Sequence, residues 1–182
     1  MATIIVKPTD QSDPNYATEL TTYTAQIEGI RILASSDVVA KFTDTELPEP
    51  IIANDVYLAA KEREVLKDTN IDAADVSSQT DAIYRRLVYM TQLLVAIELK
   101  PQLAQIIRQR SFSTDTQLQT VDWEAHIARW QANYNDELIV VNPAANVVDT
   151  SSIPVAGATT KSEEVDFDVP YYNRTELYGR TP

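Results

Sequence analysis

Cysteine is absent from this 182-residue chain, so it has neither a disulfide framework nor a thiolate metal site. Glycine is almost absent: Gly29, Gly157 and Gly179 are the only three, and no two lie near each other. A loop that cradles phosphate needs closely spaced glycines so that backbone N–H groups can approach the anion, which excludes a dinucleotide-binding or P-loop fold. Histidine occurs once, at His126. No motif around it joins a nucleophile to an orienting acid, and it is expected to be a surface residue. Clustered metal ligands are also missing. Asp166 and Asp168 are too sparse, and Glu62 and Glu64 diverge as an i, i+2 pair on a helix. No cofactor or metal is expected, no pair of carboxylates is marked out for catalysis, and the chain is not expected to be an enzyme.

Long apolar runs are missing too. Leu93 to Ile97 is the longest strongly apolar stretch, far too short to span a bilayer. Met1 to Lys7 lack the basic segment and apolar run of a signal peptide, so the expected product is soluble and intracellular when made, and Asn173-Arg174-Thr175 is a chance glycosylation sequon. The deficit of positive charge is the most informative. The net charge is −12, of which residues 1–60 carry −6, residues 61–79 carry −2 and residues 136–182 carry −5, while residues 80–135 are at +1. Duplex binding needs clustered Lys and Arg to displace counterions from phosphates. The pairs Arg85-Arg86 and Arg108/Arg110 do not form such a cluster, and they are expected to serve as solvated faces or inter-subunit ion pairs.

What is present is helical pattern in the middle of the chain. Ile83, Leu87, Met90, Leu94 and Ile97 follow a 4-3-4-3 spacing. Tyr84, Val88, Thr91, Leu93 and Val95 widen the mainly apolar arc to roughly 220°, against the ~100° that a surface helix needs. Such a helix, about 30 Å long, must be covered on more than one side, by its own bundle or by a neighbouring subunit. Before it, Asn54 is a plausible N-cap for a helix reaching about Lys67 and burying Val56, Ala59, Ala60 and Leu66, followed by a loop from Asp68 to Ser78. After it, Lys100-Pro101 ends or kinks the helix, and Pro101 suits the first turn of a segment carrying Leu103, Ile106 and Ile107. A polar linker, Ser111 to Gln119, leads to a last helix from Asp122 to about Leu138, on which Trp123, Ile127, Trp130 and Tyr134 form a narrow aromatic seam suited to packing against the long helix.

The two ends read differently. In residues 1–50, a β-prone run Thr3-Ile4-Ile5-Val6 is followed by a turn cluster from Thr9 to Asn15 and a partly apolar stretch from Tyr16 to Leu33. Ser36-Asp37 is placed to cap a short helix through Phe42, which Glu46-Leu47-Pro48-Glu49-Pro50 then breaks. In residues 139–182, prolines recur and helical periodicity vanishes. There Val165, Phe167, Val169 and Tyr171 alternate with Glu164, Asp166, Asp168 and Pro170, giving one apolar-aromatic face and one acidic face of an extended segment. Disordered tails are normally poor in aromatics, so this segment is expected to be an arm that orders on another subunit, by strand addition for example, with a tail packed on its own domain and true disorder as the alternatives. Its predicted interface residues are Val165, Phe167, Val169, Tyr171, Tyr172, Leu177 and Tyr178. The expected fold is mainly α: a small antiparallel helical bundle over residues 51–138 with a long central helix, an extended N-terminal segment over 1–50, and a C-terminal arm over 139–182 with a short β-strand.

The stretch from about 50 to 140 resembles the head–tail connector (adaptor) proteins of tailed bacteriophages. It opens with Ile51-Ile52-Ala53-Asn54-Asp55-Val56-Tyr57-Leu58-Ala59-Ala60-Lys61-Glu62-Arg63-Glu64-Val65-Leu66 after a Pro-containing break. The long apolar helix from Asp81 to Leu99 follows, then a shorter helix, then a final helix before the extended arm. The resemblance implies a homo-oligomeric ring, commonly twelvefold, seated in the virion neck between the portal protein and tail or neck proteins, and made in the host cytoplasm. It also implies that genomic DNA passes through the ring without specific binding. A rival expectation of another class is a small acidic helical regulatory or binding protein acting through its C-terminal tail on a basic partner. Neither expectation involves a membrane.

Overall fold

A computed structural model of the chain describes residues 3–36, 41–113 and 121–146. Six α-helices account for most of these, with no strand among the described residues. They are α1 (Tyr16–Ala34), α2 (Glu49–Ile52), α3 (Ala60–Thr69), α4 (Asp81–Glu98), α5 (Lys100–Ser113) and α6 (Trp123–Val141). A single π-helical turn, Asp55–Ala59, leads into α3, and short 3-10 turns cover Ala73–Ser78 and Pro143–Asn146. The protein is thus a mainly α helical bundle.

The long helix is the centre of it. Helix α4 begins at Thr80, whose hydroxyl accepts from the Ile83 amide, and ends at Leu99, just before Pro101. Leu87, Met90, Thr91, Leu93, Val95 and Ala96 are fully buried. The Thr91 hydroxyl is satisfied by the Leu87 carbonyl at 2.9 Å, so this polar side chain costs little inside the core. Helix α4 packs most extensively against α6 and α1, with α3 and the π-helical turn filling a further side. Its wide apolar arc is therefore covered within one subunit and demands no neighbour. The missing cover is α1, which lies inside the segment read from sequence as an N-terminal extension.

Among the described residues of 1–50, several accordingly contribute to the core. Ile4 and Ile5 are buried, as are Tyr23, Ile27, Ile30 and Ala34 of α1 and Phe42 and Leu47 of the following loop. The extended stretch is confined to the residues before α1. Asp10 and Asp13 hold Ser12 and Asn15 in tight Asx turns there. Helix α1 contains Thr21, Thr22 and Thr24, whose hydroxyls bond back to the carbonyls four residues earlier, and also Gly29. Such residues favour helix weakly, so packing on α4, not local propensity, makes this segment helical. Buried Arg31 then organises the loop after α1. Its Nε donates to the Leu47 carbonyl at 2.9 Å, and its guanidinium meets Asp44 at 2.5 Å and Glu28 at 3.0 Å. The short helix expected from Ser36 to Phe42 lies partly outside the described residues; Phe42 itself sits in a loop.

The expected cap at Asn54 is in place. The side-chain Oδ1 of Asn54 accepts from the amides of Val56 and Tyr57 at 3.0 and 2.9 Å. Because the first turn is π-helical, Val56 points into solvent, 72% exposed, contrary to the expectation that it is buried; Leu58 and Ala59 take the inward positions. Helix α3 ends on Asn70 in the left-handed region (φ 56°), and the Ile71 amide closes onto the Leu66 carbonyl at 3.1 Å. The stretch from Asp68 to Ser78 contains a short 3-10 turn that buries Val76. On α6, Asp122 accepts from the Ala125 amide at 3.0 Å, and Trp130 and Tyr134 are buried. The Tyr134 hydroxyl donates to Asp68 at 2.7 Å, and Asn142 donates to the Asp68 carbonyl, fixing the end of α6 against the end of α3.

Candidate functional site

The residues predicted as an interface, Val165, Phe167, Val169, Tyr171, Tyr172, Leu177 and Tyr178, lie outside the described residues, as does the strand expected among them. What the described residues present is a closed bundle whose polar groups are largely occupied in holding it together.

His126 is the clearest departure from the sequence reading. It is buried, with its ring 5.8 Å from Trp123 and 5.6 Å from Trp130 (centroid to centroid), and Arg129 reaches its Nδ1 at 3.2 Å. The 123–126–130 spacing places all three rings on one side of α6. A histidine three and four residues from two tryptophans was the available signal that it would join the aromatic seam.

Glu62, in sequence one half of a sparse acidic pair, is fully buried. Its carboxylate accepts from the Thr3 amide at 2.5 Å and the Ile5 amide at 2.7 Å. Burial pushes its pKa up, opposed by these backbone donors. Tyr84 adds a third tie by donating to the Ile4 carbonyl at 2.8 Å. Chemically this is an anchor for the N-terminal segment. Glu64 turns outward instead and pairs with Lys61, which also meets Glu98.

The arginine pairs divide. Arg86 bonds to Glu137 of α6, whereas Arg85 is exposed. Arg110 forms a forked contact with Glu46 at 2.6 Å from both Nε and Nη2, and its guanidinium stacks 4.9 Å from the Phe42 ring; Arg108 is exposed. The Arg110 hydrogen bonds hold the Glu46 carboxyl down at about 2. One member of each pair is therefore used inside the subunit.

Among the described residues no group of three or more His, Asp or Glu is placed to hold a metal ion, and no helix is long and apolar enough to cross a membrane. Shallow depressions are lined by described residues at three places. One lies beside α1 and the N-terminal segment, lined by Val6, Glu19, Tyr23 and Tyr84 among others. A second is lined by Ile27, Arg31, Asp44 and Glu49, and a third by the end of α3 and the turn after it. The chain matches no protein-family model, no curated protein and no solved structure.

Proposed function

We propose that the protein is a structural head–tail connector. In this reading copies assemble as a ring in the virion neck, between the portal protein and the tail or neck proteins, and leave a channel through which genomic DNA passes unbound. The supporting observation is the succession of helices from residue 49 to residue 141. It consists of a proline-led start, an Asn54-capped helix, a long apolar helix, a shorter helix opened by Lys100-Pro101 and a last aromatic helix, ahead of a C-terminal stretch with alternating apolar and acidic residues. This is the layout on which the resemblance to connectors rests. Catalysis forms no part of the proposal.

A second reading, a monomeric acidic binding protein acting through its tail, is favoured by a different observation: α4 is sheathed by α1, α3 and α6 of its own subunit, so the bundle can stand alone. Native mass by light scattering separates the two, comparing the full chain with a chain ending at Val141. A connector is expected to give a particle near twelve subunits that collapses to monomer on truncation, with helical content of the bundle unchanged. A monomer in both cases supports the second reading.

A further inference from the structure

At the end of α3 the chain turns back through Asn70, leaving a groove of about 350 Å³ lined by Arg63, Leu66, Lys67, Asn70, Ile71 and Asp72. Its floor is apolar: Leu66 is buried and Ile71 half-buried. Arg63 and Lys67 stand one helical turn apart on the same exposed face, and among the described residues neither forms an ion pair. Lys7, Arg31, Lys61, Arg86 and Arg110 are all neutralised by carboxylates. Two free cations flanking one apolar groove are unusual on a chain of net charge −12. The other two depressions present carboxylates, Glu19 in one and Asp44 and Glu49 in the other, where Arg31 is already paired.

We propose that this groove receives residues 163–169 of a second copy of the chain, an inference that rests on the assembling reading above. An extended segment repeats each face every second residue, about 6.7 Å along its length. Residues four apart on a helix are about 6 Å apart along its axis. In an extended segment Asp166 and Asp168 would recur at nearly the interval of Arg63 and Lys67, and Val165, Phe167 and Val169 would recur at the same interval on the other face, a sequence pattern that complements a groove offering two cations beside Leu66 and Ile71. Asp72, which also lines the groove, repels acidic residues brought near it. Docking is through side chains: the described residues contain no strand edge to extend, so the strand addition considered from sequence has no acceptor there.

The test uses the full-length protein with a photo-crosslinking amino acid in place of Phe167, mixed with an isotopically heavy copy. The expected product is a light–heavy adduct within residues 63–73, reduced at least about tenfold by Arg63→Glu with Lys67→Glu, and restored when Asp166→Lys with Asp168→Lys is combined with that pair. Adducts within one copy, adducts elsewhere on the bundle, no adduct, or indifference to charge reversal each overturn the proposal. Light scattering on the same samples tells its failure from that of the connector reading: a ring that persists without a 63–73 adduct removes only the groove.

Discussion

Glu62 occupies a position in α3 that the pattern of Leu58, Val65 and Leu66 would assign to an apolar side chain, and its carboxylate is spent on backbone amides 57 and 59 residues earlier in the chain. Removing it leaves buried donors without partners, at about 1–3 kcal/mol. Glu62→Ala should therefore destabilise by about 2–3 kcal/mol, read from the urea midpoint, with faster hydrogen exchange at the amides of Thr3 and Ile5. Glu62→Gln, which keeps one acceptor oxygen, should cost roughly half as much; equal costs would show that the N-terminal segment is held by Ile4 and Ile5 alone. Glu46 titrates in the opposite sense. Its folded pKa of about 2 lies below the ordinary 4.5, so its pair with Arg110 adds stability above pH 4.5 that is lost as the pH falls toward 2. Glu62, with its folded pKa raised, contributes most below its unfolded value and loses that contribution as pH rises through the folded one. Arg110→Met, which can still lie on Phe42, should remove about 1 kcal/mol at pH 7 and flatten the decline between pH 4.5 and 2. A decline of unchanged steepness would assign acid sensitivity to other carboxylates. Neither role was legible in the sequence, because each depends on a partner far away in the chain.

Element by element, legibility followed periodicity. Helix α4 was readable because its apolar residues recur at helical spacing over eighteen residues, α3 because Asn54 announces its start, and α6 because Trp123, Ile127, Trp130 and Tyr134 fall on one stripe. Helix α1 was not: its threonines and Gly29 dilute the pattern, and only its place against α4 selects the helix. Gly29 marks that seam. A Cβ there would lie 2.3 Å from Nε2 of Gln92, which donates to the Gln26 carbonyl at 2.8 Å. Gly29→Ala should gain about 1 kcal/mol of helix propensity and lose about as much when the Gln92 amide swings away, a nearly neutral change. In a Gln92→Ala background the same substitution should stabilise by about 0.5–1 kcal/mol, measured by thermal unfolding; additivity of the two changes would place the seam elsewhere. Deleting residues 1–50 is the coarser form of the same test. With α1, Ile4 and Ile5 gone, the apolar flank of α4 meets water, and the fragment should lose its cooperative melt. A fragment that still unfolds cooperatively would restore these residues to the status of an extension.

At the scale of the whole molecule, the sequence conveyed charge better than surface. The excess of acid was plain in the composition, and so was the alternation of residues 164–171, but the groove at the end of α3 exists only because Asn70 reverses the chain, and no pattern in residues 63–73 announces it. The charge distribution nonetheless fixes one behaviour. Affinity for duplex DNA comes largely from cations that displace counterions at several phosphates. Here five of the cations are already paired within the subunit, and the net charge of −12 sets up a repulsive field around each copy. At an ionic strength of about 0.01 M that field extends on the order of 30 Å, against about 10 Å at 0.1 M, so lowering the salt should strengthen the exclusion of DNA instead of revealing binding. Full-length protein at micromolar concentration should leave the electrophoretic mobility of a duplex unchanged at both ionic strengths. A shift that grows as salt is removed would mean that Arg63, Lys67, Arg85 and Arg108, which form no ion pair among the described residues, act together on one face, and the channel of the proposed ring would then grip its DNA.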